Sequence, residues 1–555
     1  MHATRIAALG SAVASLLTVT AAGCSKDKPA ADDPLDSGIA IIDATVADAL
    51  PDDPPDAPPD APPDAPPDAP PPPTPVFDWV GVVGTGQSLS VGATSASLTK
   101  TQPFHNLKLV DTGADPKYPI GAGGAPVWAT TPLVEPFRTR VTGTGPGYDN
   151  GEYPNSVGGE SPQSGMANAL TALWTAHGGG GEYVTAHSNV GWSGHCLSDI
   201  NKAGGKRAYP ASLSEANVFK GFAQAAGKTF GYGGIILTHG ECDGGNTAYG
   251  AGLFTLWQDY NTDLKAITGQ TKDVVLLVSQ QSTIGPGNYG NSAVQVWKAG
   301  VAHPGQVVCT GPKYQYAYSG DNLHFQAPGY IRMGEKYAEV FDLIVNQGVA
   351  WKPLQPNHIE RAGAVLTIAF DVPNPPLAWD EHLSKPHQAT NTAWAKGRGF
   401  EVKDAAGAQL TISDAVIAGS TVVLTLAAVP VGKVTVAYAL TQDGTGLQGG
   451  TDLGMHGQLR DSDELVAYDA ELVDANVTAG AAVVTTAVAN GFAHRAAHDL
   501  VVVADSLPAD TIVKSFDSTT QLTLSAPWAG ATGTAKLAIH HDLHNYCVQF
   551  AMDVP

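Results

Sequence analysis

The chain has 555 residues, of which 43% are hydrophobic and 15% charged, so it is long enough for two to four domains, each with its own core. Acidic residues outnumber basic ones by 52 to 30, which argues against nucleic-acid binding because such a surface must neutralise phosphates. No apolar run after the N-terminal segment is long enough to span a membrane.

Residues 1–23 have the pattern of an export signal. Arg5 precedes an Ala-rich apolar run over 6–20, and small residues follow. The segment ends in Ala-Ala-Gly before Cys24, which resembles the lipobox of bacterial lipoproteins and implies cleavage before Cys24 and lipidation of its thiol. An ordinary signal peptide with an incidental cysteine is the alternative. We therefore expect an exported protein held by lipid in the bacterial cell envelope, at the outer membrane or cell surface.

Residues 24–76 form a linker of low complexity. Asp-Ala-Pro-Pro units repeat between Pro51 and Pro73, without aromatic residues that could build a core. Proline content and repulsion between aspartates predict an extended, disordered stalk. At about 3.1 Å per residue, the Pro-rich tract alone could reach roughly 70 Å.

Residues 77–348 alternate between two kinds of pattern, which predicts an α/β domain. Continuous apolar runs typical of buried strands occur at 79–83, 182–186, 234–237, 274–278 and 306–309. Amphipathic stretches typical of helices occur at 165–177, 215–230, 253–267, 292–301 and 329–345. Apolar strands separated by helices indicate a parallel sheet covered on both faces, whose ligands bind at the carboxyl ends of the strands.

Ser88 follows the first predicted strand, inside the glycine-rich segment GTGQSLSVG at 84–92. A serine between glycines on a tight turn after a strand offers its hydroxyl to a cleft, as hydrolase nucleophiles do. Taken alone, the segment fits a simple Gly-Ser loop equally well. Ser88 therefore needs a base and oxyanion donors from elsewhere in the chain.

Three further polar loops are expected at the same edge of the sheet. The second predicted strand leads into a glycine-punctuated loop at 187–194, and the third leads into a loop at 238–243. After the fifth strand come Asp321 and His324, spaced so that the carboxylate can orient the imidazole. A helix N-cap beside a solvated histidine is the alternative for this pair. The coincidence of four such loops favours a catalytic site, with His324 taking the proton of Ser88.

These motifs, in this order, resemble the SGNH hydrolases, and most closely their sialate O-acetylesterase and acetylxylan-esterase-like branch. The resemblance covers about half of the chain and rests on GQS at 86–88, Gly240-Glu241 with Asp243, and Asp321 with His324 and Phe325. It implies a flavodoxin-like three-layer αβα domain with a Ser-His-Asp mechanism. The family likeness implies an oxyanion hole built from the backbone N–H groups of Ser88 and of Gly194 or Gly191, helped by the residue at 239.

Two positions depart from the pattern of that branch. Leu89 stands where the branch has asparagine, and His239 stands where it has glutamine, or more widely asparagine, in the oxyanion hole. A neutral imidazole N–H can still donate to an oxyanion, so we expect His239 to keep the role. Loss of one such donor typically costs about 10²–10³ in rate.

Other chemistry-bearing residues in these loops have competing interpretations. Gln87, Glu241, Asp243 and Trp192 are candidates for the substrate site. Glu241 and Asp243 could instead be the carboxylate pair of a glycosidase, although the resemblance makes them supports of their loop.

The cysteines and histidines of these loops raise the question of a metal. His195, Cys196, His239 and Cys242 could be assembled into a zinc site, but their spacing matches no common ligand pattern. We expect no metal and no organic cofactor. Of the three pairings open to the four cysteines after Cys24, we favour Cys196 with Cys242, because their loops follow two neighbouring family motifs on one sheet edge.

From about residue 349 the helical pattern gives way to short β patterns. Alternating or apolar Thr- and Val-containing runs separated by turns predict an immunoglobulin-like sandwich over 349–469. A further β-rich module is expected over 470–555, inserted in the sandwich if 545–550 returns to pair with it. Accessory carbohydrate binding and a simple spacer role remain equally open for this region.

The sequence thus predicts a serine esterase that removes O-acetyl groups from a carbohydrate, its expected partner, through an acyl-enzyme. One alternative is a non-catalytic surface carbohydrate-binding protein on an esterase scaffold, suggested by Leu89 and His239. Another is a short-chain lipid or thioester hydrolase of the same fold.

Overall fold

The computed structural model describes residues 75–113, 126–141, 151–283, 291–381, 383–468, 471–489, 491–492, 500–503, 506–508 and 511–554. The predicted export signal, the lipidation site at Cys24 and almost all of the predicted linker lie outside these residues. Within the described ranges, no helix combines the length and the apolar character needed to cross a membrane.

A seven-stranded sheet organises the first half of the chain. Its strands are Trp79–Gly86 (β1), Leu107–Asp111 (β2), Trp128–Pro132 (β3), Val184–Asn189 (β4), Phe230–Thr238 (β5), Val275–Gln280 (β6) and Val307–Pro312 (β7). They lie in the order β3-β2-β4-β1-β5-β6-β7. All neighbours are parallel except β2 and β3, which pair antiparallel at one edge.

Six helices accompany this sheet. They are Pro162–Ala176 (α1), Leu197–Ile200 (α2), Ala208–Ala225 (α3), Tyr249–Thr268 (α4), Ser292–Ala302 (α5) and Ala327–Phe341 (α6), the last continued by a π-helical turn over Asp342–Asn346. The α/β prediction is confirmed, because each of the five predicted strands and five predicted helices overlaps an observed element.

Both faces of the sheet are covered, because side chains alternate between two cores along each strand. Val82 of β1 packs in a core with Met166 of α1 and Tyr337 of α6. The adjacent Val83 packs in the opposite core, with residues of α3 and α4. Without β2 and β3, the strand order β4-β1-β5-β6-β7 is that of flavodoxin-like sheets, whose crevice opens where the chain direction reverses beside β1.

Two strands of this sheet were absent from the sequence prediction. β2 reads Leu-Lys-Leu-Val-Asp and buries Lys108, whose ammonium group donates to the carbonyl oxygens of Val134 and Pro136. β3 is only half-buried. Neither strand shows the continuous apolar run that marked the five central strands, because both lie toward the edge of the sheet.

The second half of the chain is built from β-strands, as predicted. The strands of its two main sheets are Gln355–Ala362 (β8), Val365–Asp371 (β9), Phe400–Asp404 (β11), Ile412–Ala418 (β12), Thr421–Leu426 (β13), Val434–Tyr438 (β14) and Phe550–Val554 (β22). A four-stranded sheet has the order β12-β13-β9-β8, and a three-stranded sheet has the order β11-β14-β22. Phe370 and Phe400 meet between the two sheets with ring centroids 6.4 Å apart, so the sheets pack face to face. Ala378–Trp379 (β10) pairs with Leu459–Arg460 (β15) beside them.

A six-stranded sheet lies between β15 and β22 in the chain and has its own core. Its order is β18-β21-β16-β17-β20-β19, formed by Glu471–Val477 (β16), Val483–Thr485 (β17), Leu500–Val502 (β18), Val513–Ser518 (β19), Gln521–Leu524 (β20) and Gly533–His540 (β21). The chain then returns to the sandwich, where Phe550 of β22 pairs with Tyr438 of β14. The returning strand was expected at 545–550 but begins only at Phe550.

The α/β part and the sandwich share one continuous core. The rings of Trp297 in α5 and Phe550 in β22 contact each other at a tilt, with centroids 5.9 Å apart. The Trp297 indole N–H donates to the side-chain oxygen of Gln355 at 3.1 Å. Residues from 74 onward accordingly form one compact unit.

Candidate active site

Ser88 lies on a tight turn at the carboxyl end of β1. Gly86 adopts φ +135° directly before the turn, and a Cβ atom there would lie 2.2 Å from the carbonyl oxygen of Thr238 in β5. Only glycine therefore lets β1 remain paired with β5 to its last residue. Ser88 opens the short 3₁₀ helix Ser88–Ser90 and is 7% exposed. The turn brings the hydroxyl to the edge of the sheet where parallel strands place ligands.

Asp321 and His324 lie at the tip of a hairpin, which we define as residues 318–325. Tyr318 and Phe325 form an antiparallel bridge at its base, and their rings meet edge-on with centroids 4.8 Å apart. The N–H of Ser319 donates to the carbonyl oxygen of His324 at 2.7 Å. Phe325 is fully buried, so the base of the hairpin is fixed in the core while its tip reaches the edge of the sheet.

The hairpin and the β1 turn meet in one hydrogen-bonded chain. His324 Nε2 lies 2.8 Å from Ser88 Oγ, and His324 Nδ1 lies 2.6 Å from Asp321 Oδ2. Because an ionised carboxylate only accepts, Nδ1–H donates to Asp321 and leaves the Nε2 lone pair for the Ser88 hydroxyl. The structure thus brings the three sequence-predicted residues together across 236 positions of the chain.

The environment of Asp321 keeps its carboxylate charged. Partial burial raises the pKa of Asp321, but hydrogen bonds from the Ser319 hydroxyl, the His324 ring and two backbone N–H groups outweigh it and lower the pKa well below its usual range. Ser319 Oγ donates at 2.6 Å, and the backbone N–H groups of Leu323 and His324 donate at 3.0 and 2.9 Å. A negative charge is therefore fixed beside His324 Nδ1.

Of the two glycines proposed for an oxyanion hole, Gly191 packs against the turn that holds Ser88. The N–H of Trp192 donates to the carbonyl oxygen of Gly86 at 2.8 Å, and a Cβ atom on Gly191 would lie 1.9 Å from Ser90 Oγ. Gly194 is exposed, and a Cβ atom on it would meet nothing within 4 Å. Among the described residues, the backbone N–H groups of Ser88 and Gly191 donate to no backbone acceptor.

His239 does not occupy the position expected of an oxyanion donor. Its ring is completely buried, with Nδ1 2.8 Å from Tyr249 Oη and Nε2 3.0 Å from the carbonyl oxygen of His195. A carbonyl only accepts, so Nε2–H donates to His195 and Nδ1 accepts from the Tyr249 hydroxyl. Both ring nitrogens are committed to neighbouring loops, so we correct the expected role of His239: its ring has no N–H to give to an oxyanion. Burial lowers the pKa of His239 and keeps the ring neutral.

Glu241 and Asp243 support their own loop. Glu241 Oε1 accepts from the ammonium group of Lys313 at 2.7 Å, and both side chains are buried. The same ammonium donates to the carbonyl oxygen of His239 at 3.1 Å. Asp243 Oδ2 accepts from the backbone N–H of Leu197 at 2.8 Å. These bonds make both residues supports of the loop, as the family resemblance implied.

A disulfide joins the segment after β4 to the loop after β5. Cys196 and Cys242 are bonded, with their Cα atoms 5.0 Å apart, which confirms the favoured pairing. Neither cysteine can therefore serve as a thiolate ligand in the zinc site considered above. Cys309 and Cys547 are buried free thiols.

The remaining candidate residues are buried. Gln87 is buried, and its side-chain oxygen accepts from the N–H of Cys242 at 3.2 Å. Trp192 is 6% exposed and lies under the His195 ring, with centroids 3.2 Å apart. Leu89 is buried in the core that contains Met166 and Tyr330, so this departure from the family pattern fills apolar space.

The sequence prediction missed two residues that hold the site. Asn189, the last residue of β4, donates through Nδ2 to the carbonyl oxygen of Ser90 at 3.0 Å and fixes the far side of the Ser88 turn. Lys313 follows β7 and neutralises Glu241. Asn189 carried a usable signal, since it is a polar residue directly before the glycine loop. Lys313 carried none, because its partner is 72 positions away.

No family model matches the chain, and no curated protein matches it. Solved structures with some likeness include a carbohydrate acetylesterase from Xanthomonas citri, XAC1771, at 13% identity and a TM-score of 0.41, over 68% of this chain and 77% of that one. NanS shows 10% identity and a TM-score of 0.31, over 47% of this chain and 96% of that one. A protein from Arabidopsis thaliana shows 13% identity and a TM-score of 0.29, over 48% and 98%.

Proposed function

We propose that the protein is a serine esterase that removes O-acetyl groups from a carbohydrate. The observation that carries the proposal is the continuous chain from Ser88 Oγ through the His324 ring to the Asp321 carboxylate, with distances of 2.8 and 2.6 Å. A hydroxyl, an imidazole of fixed tautomer and a charged carboxylate are the groups that acyl transfer through a serine needs.

In the proposed reaction His324 Nε2 removes the Ser88 proton while Oγ attacks the acetyl carbonyl carbon. Asp321 stabilises the imidazolium that forms, and the backbone N–H groups of Ser88 and Gly191 receive the oxyanion. Collapse of the tetrahedral intermediate breaks the bond to the sugar oxygen, which takes the proton from His324. Water, deprotonated by the same histidine, then attacks the acetyl-enzyme and releases acetate.

The finer classification belongs to the same proposal. Membership of the SGNH hydrolases is supported by the order of the motifs along the chain and by their positions after β1, β4, β5 and β7. An immunoglobulin-like topology of the sandwich is supported by its seven strands, divided into sheets of four and three. Export and lipid attachment at Cys24 remain proposals that rest on residues 1–24 alone.

Both ring nitrogens of His239 are hydrogen-bonded within the protein, which favours the carbohydrate-binding protein over the lipid or thioester hydrolase as the alternative. An active site without a third, side-chain oxyanion donor is a weaker catalyst, and its extreme form is a carbohydrate-binding protein that keeps the Ser-His-Asp geometry. A hydrolase of short-chain lipids or thioesters uses the same three residues, so the length of the acyl chain has to separate it from an acetylesterase.

Replacement of the nucleophile tests the proposal directly. We expect Ser88→Ala to lower kcat for p-nitrophenyl acetate by about 10⁴–10⁶-fold, because the covalent step is lost. Ser198→Ala, at an exposed serine of α2, is the matched control and should keep wild-type activity. Acetate release from acetylated xylan, sialic acid and peptidoglycan identifies the sugar.

The remaining outcomes decide between the alternatives. Unchanged hydrolysis by Ser88→Ala would contradict the mechanism. No reaction of the wild type with a fluorophosphonate probe, together with retained polysaccharide binding, would favour the binding protein. Faster hydrolysis of an eight-carbon ester than of the acetyl ester would favour the lipid hydrolase.

A further inference from the structure

A turn of the β sandwich lies directly against the hairpin that carries Asp321 and His324. We call residues 447–450 the docking turn. The Nδ2 group of Asn322, between the two proposed catalytic residues, donates to the carbonyl oxygen of Leu447 at 3.4 Å. Asn322 has φ +57°, in the left-handed region that asparagine adopts more readily than most residues other than glycine.

The two glycines of the docking turn approach the hairpin too closely for a side chain. A Cβ atom on Gly449 would lie 2.1 Å from Thr283 Cγ2 and 2.5 Å from the carbonyl oxygen of Asn322. A Cβ atom on Gly450 would lie 2.5 to 2.7 Å from three atoms of the Tyr318 side chain. Tyr318 is the base of the hairpin, so the docking turn contacts both its base and its tip.

The docking turn is itself anchored in the sandwich. At its far end, Thr451 Oγ1 donates to the carbonyl oxygen of Gln448 at 2.9 Å, and the N–H of Asp443 donates to that of Leu453 at 2.7 Å. The Asp443 carboxylate accepts three backbone N–H groups at 389–391. These bonds give the docking turn a fixed position relative to the sandwich.

The sandwich in turn is fixed to the sheet edge beside the site. Gln280, the last residue of β6, donates to the carbonyl oxygen of Gln549 at 2.8 Å and accepts from the N–H of Gln549 at 2.8 Å. Both side chains are fully buried. Movement of the sandwich along the sheet would break this pair, so the contact between docking turn and hairpin is built into the fold.

We propose that the docking turn is a positioning element of the active site, which holds the Asp321–His324 hairpin at the distance that Ser88 requires. The inference rests on the proposed function. The Asp321 side chain at the tip is 42% exposed, so the packing of the hairpin itself covers only part of it. Displacement of a catalytic group by about 1 Å can cost 10²-fold in rate, so a contact that excludes even a methyl group can control the rate.

Gly450 in the docking turn and Gly446 directly before it provide a matched test in the full-length chain. Gly450 and Gly446 have nearly equal left-handed φ angles of +70° and +75°, but a Cβ atom on Gly446 would meet nothing within 4 Å. Alanine therefore brings similar backbone strain at both positions, and only Gly450→Ala presses on Tyr318. We expect Gly450→Ala to lower kcat for p-nitrophenyl acetate by about ten- to a hundred-fold relative to Gly446→Ala, with little change in KM.

A second readout separates positioning from general damage to the fold. The rate of labelling by a fluorophosphonate depends on Ser88 and His324 but on no sugar contact, and it should fall with kcat in Gly450→Ala at a temperature where circular dichroism shows both variants to be folded. Asn322→Gly keeps the left-handed backbone and removes only the bond to Leu447, so it should lower both rates several-fold even if Gly450→Ala folds poorly.

The outcomes keep the two proposals apart. If Gly450→Ala and Asn322→Gly match Gly446→Ala in kcat and labelling rate while Ser88→Ala is inactive, the docking turn does not position the hairpin and only this inference is wrong. If Ser88→Ala also retains activity, the proposed function itself is wrong.

Discussion

The hairpin at 318–325 and the loop at 238–243 lie at the same edge of the sheet, and each contains a histidine close to an aspartate. In the hairpin His324 Nδ1 lies 2.6 Å from Asp321, whereas in the loop His239 Nδ1 lies 3.9 Å from Asp243. The other ring nitrogen of His324 faces the Ser88 hydroxyl, and that of His239 faces a carbonyl oxygen. The second ring nitrogen of His324 therefore faces the proposed nucleophile, whereas both ring nitrogens of His239 bond to neighbouring parts of the protein.

Burial explains the difference. The His239 side chain is 0% exposed and its polar atoms must find partners within the protein, which they do in Tyr249 and His195. The His324 side chain is 15% exposed, at the tip of the hairpin. A histidine in a candidate motif becomes a catalytic base only where one of its ring nitrogens is left for the reaction.

Exchange of each histidine for glutamine gives the largest expected contrast. We expect His324→Gln to lower kcat for p-nitrophenyl acetate by about 10²–10⁴-fold, because the proposed general base is lost. His239→Gln should stay within about ten-fold of the wild type, since an amide can donate to the His195 carbonyl and accept from the Tyr249 hydroxyl. Steady-state kinetics of both purified variants measure the contrast.

The reverse result would overturn this assignment. A large loss of kcat in His239→Gln with unchanged stability would return His239 to the oxyanion hole, and near-normal activity of His324→Gln would remove it as the base.

The charge pair behind the loop should matter for stability. Lys313→Met removes the cation from the buried Glu241 carboxylate, and we expect it to lower the free energy of unfolding by about 3–5 kcal/mol. Urea denaturation followed by circular dichroism measures the change. The double variant Lys313→Met/Glu241→Gln, which also removes the stranded charge, should recover a large part of the loss.

A failure of the double variant to recover stability would locate the cost elsewhere, in the bond from Lys313 to the His239 carbonyl. No change in stability for the single variant would show that the pair does not support the loop.

The smallest expected effect is the part of the pH dependence of stability that comes from the buried His239 side chain. The pKa of His239 is lowered from 6.5 in the folded protein, chiefly by burial, while the unfolded chain keeps the ordinary value. As the pH falls below about 6.5, the unfolded state takes up a proton that the folded state does not, so the free energy of unfolding decreases. Above that pH this contribution is constant.

Denaturation of the wild type and of His239→Gln at several pH values between 5 and 8 tests the assignment. The difference in unfolding free energy between them should shift against the wild type as the pH falls. A difference that stays constant with pH would mean that His239 titrates in the fold as it does in the unfolded chain.

The central part of the fold was predictable because its signals are local. β1, β4, β5, β6 and β7 bury nearly every residue, so each appears in the sequence as a continuous apolar run. β2 and β3 carry half-buried residues and a buried lysine, whose partners come from a loop around 134–136. No local pattern distinguishes such strands from loops.

Part of the candidate site was also predictable from local sequence signals, and part of it depended on contacts between distant segments. Residue types and order along the chain predicted Ser88, His324 and Asp321 as partners, because parallel strands bring their carboxyl ends to one edge. The choice of Gly191 over Gly194 depended on which glycine packs against Ser90. Contact of the docking turn with Asn322, 125 positions away, leaves no trace in either segment alone.

The sequence by itself determined the alternation of strands and helices, the turn that presents Ser88 and the pairing of Asp321 with His324, since each follows from neighbours in the chain. Only the tertiary structure decided what surrounds these groups: the closure of His239 between Tyr249 and His195, the neutralisation of Glu241 by Lys313, and the seating of the sandwich on the hairpin. Burial and hydrogen-bond partnership arise when distant segments meet, and they determine whether a polar side chain is used for structure or is left for chemistry.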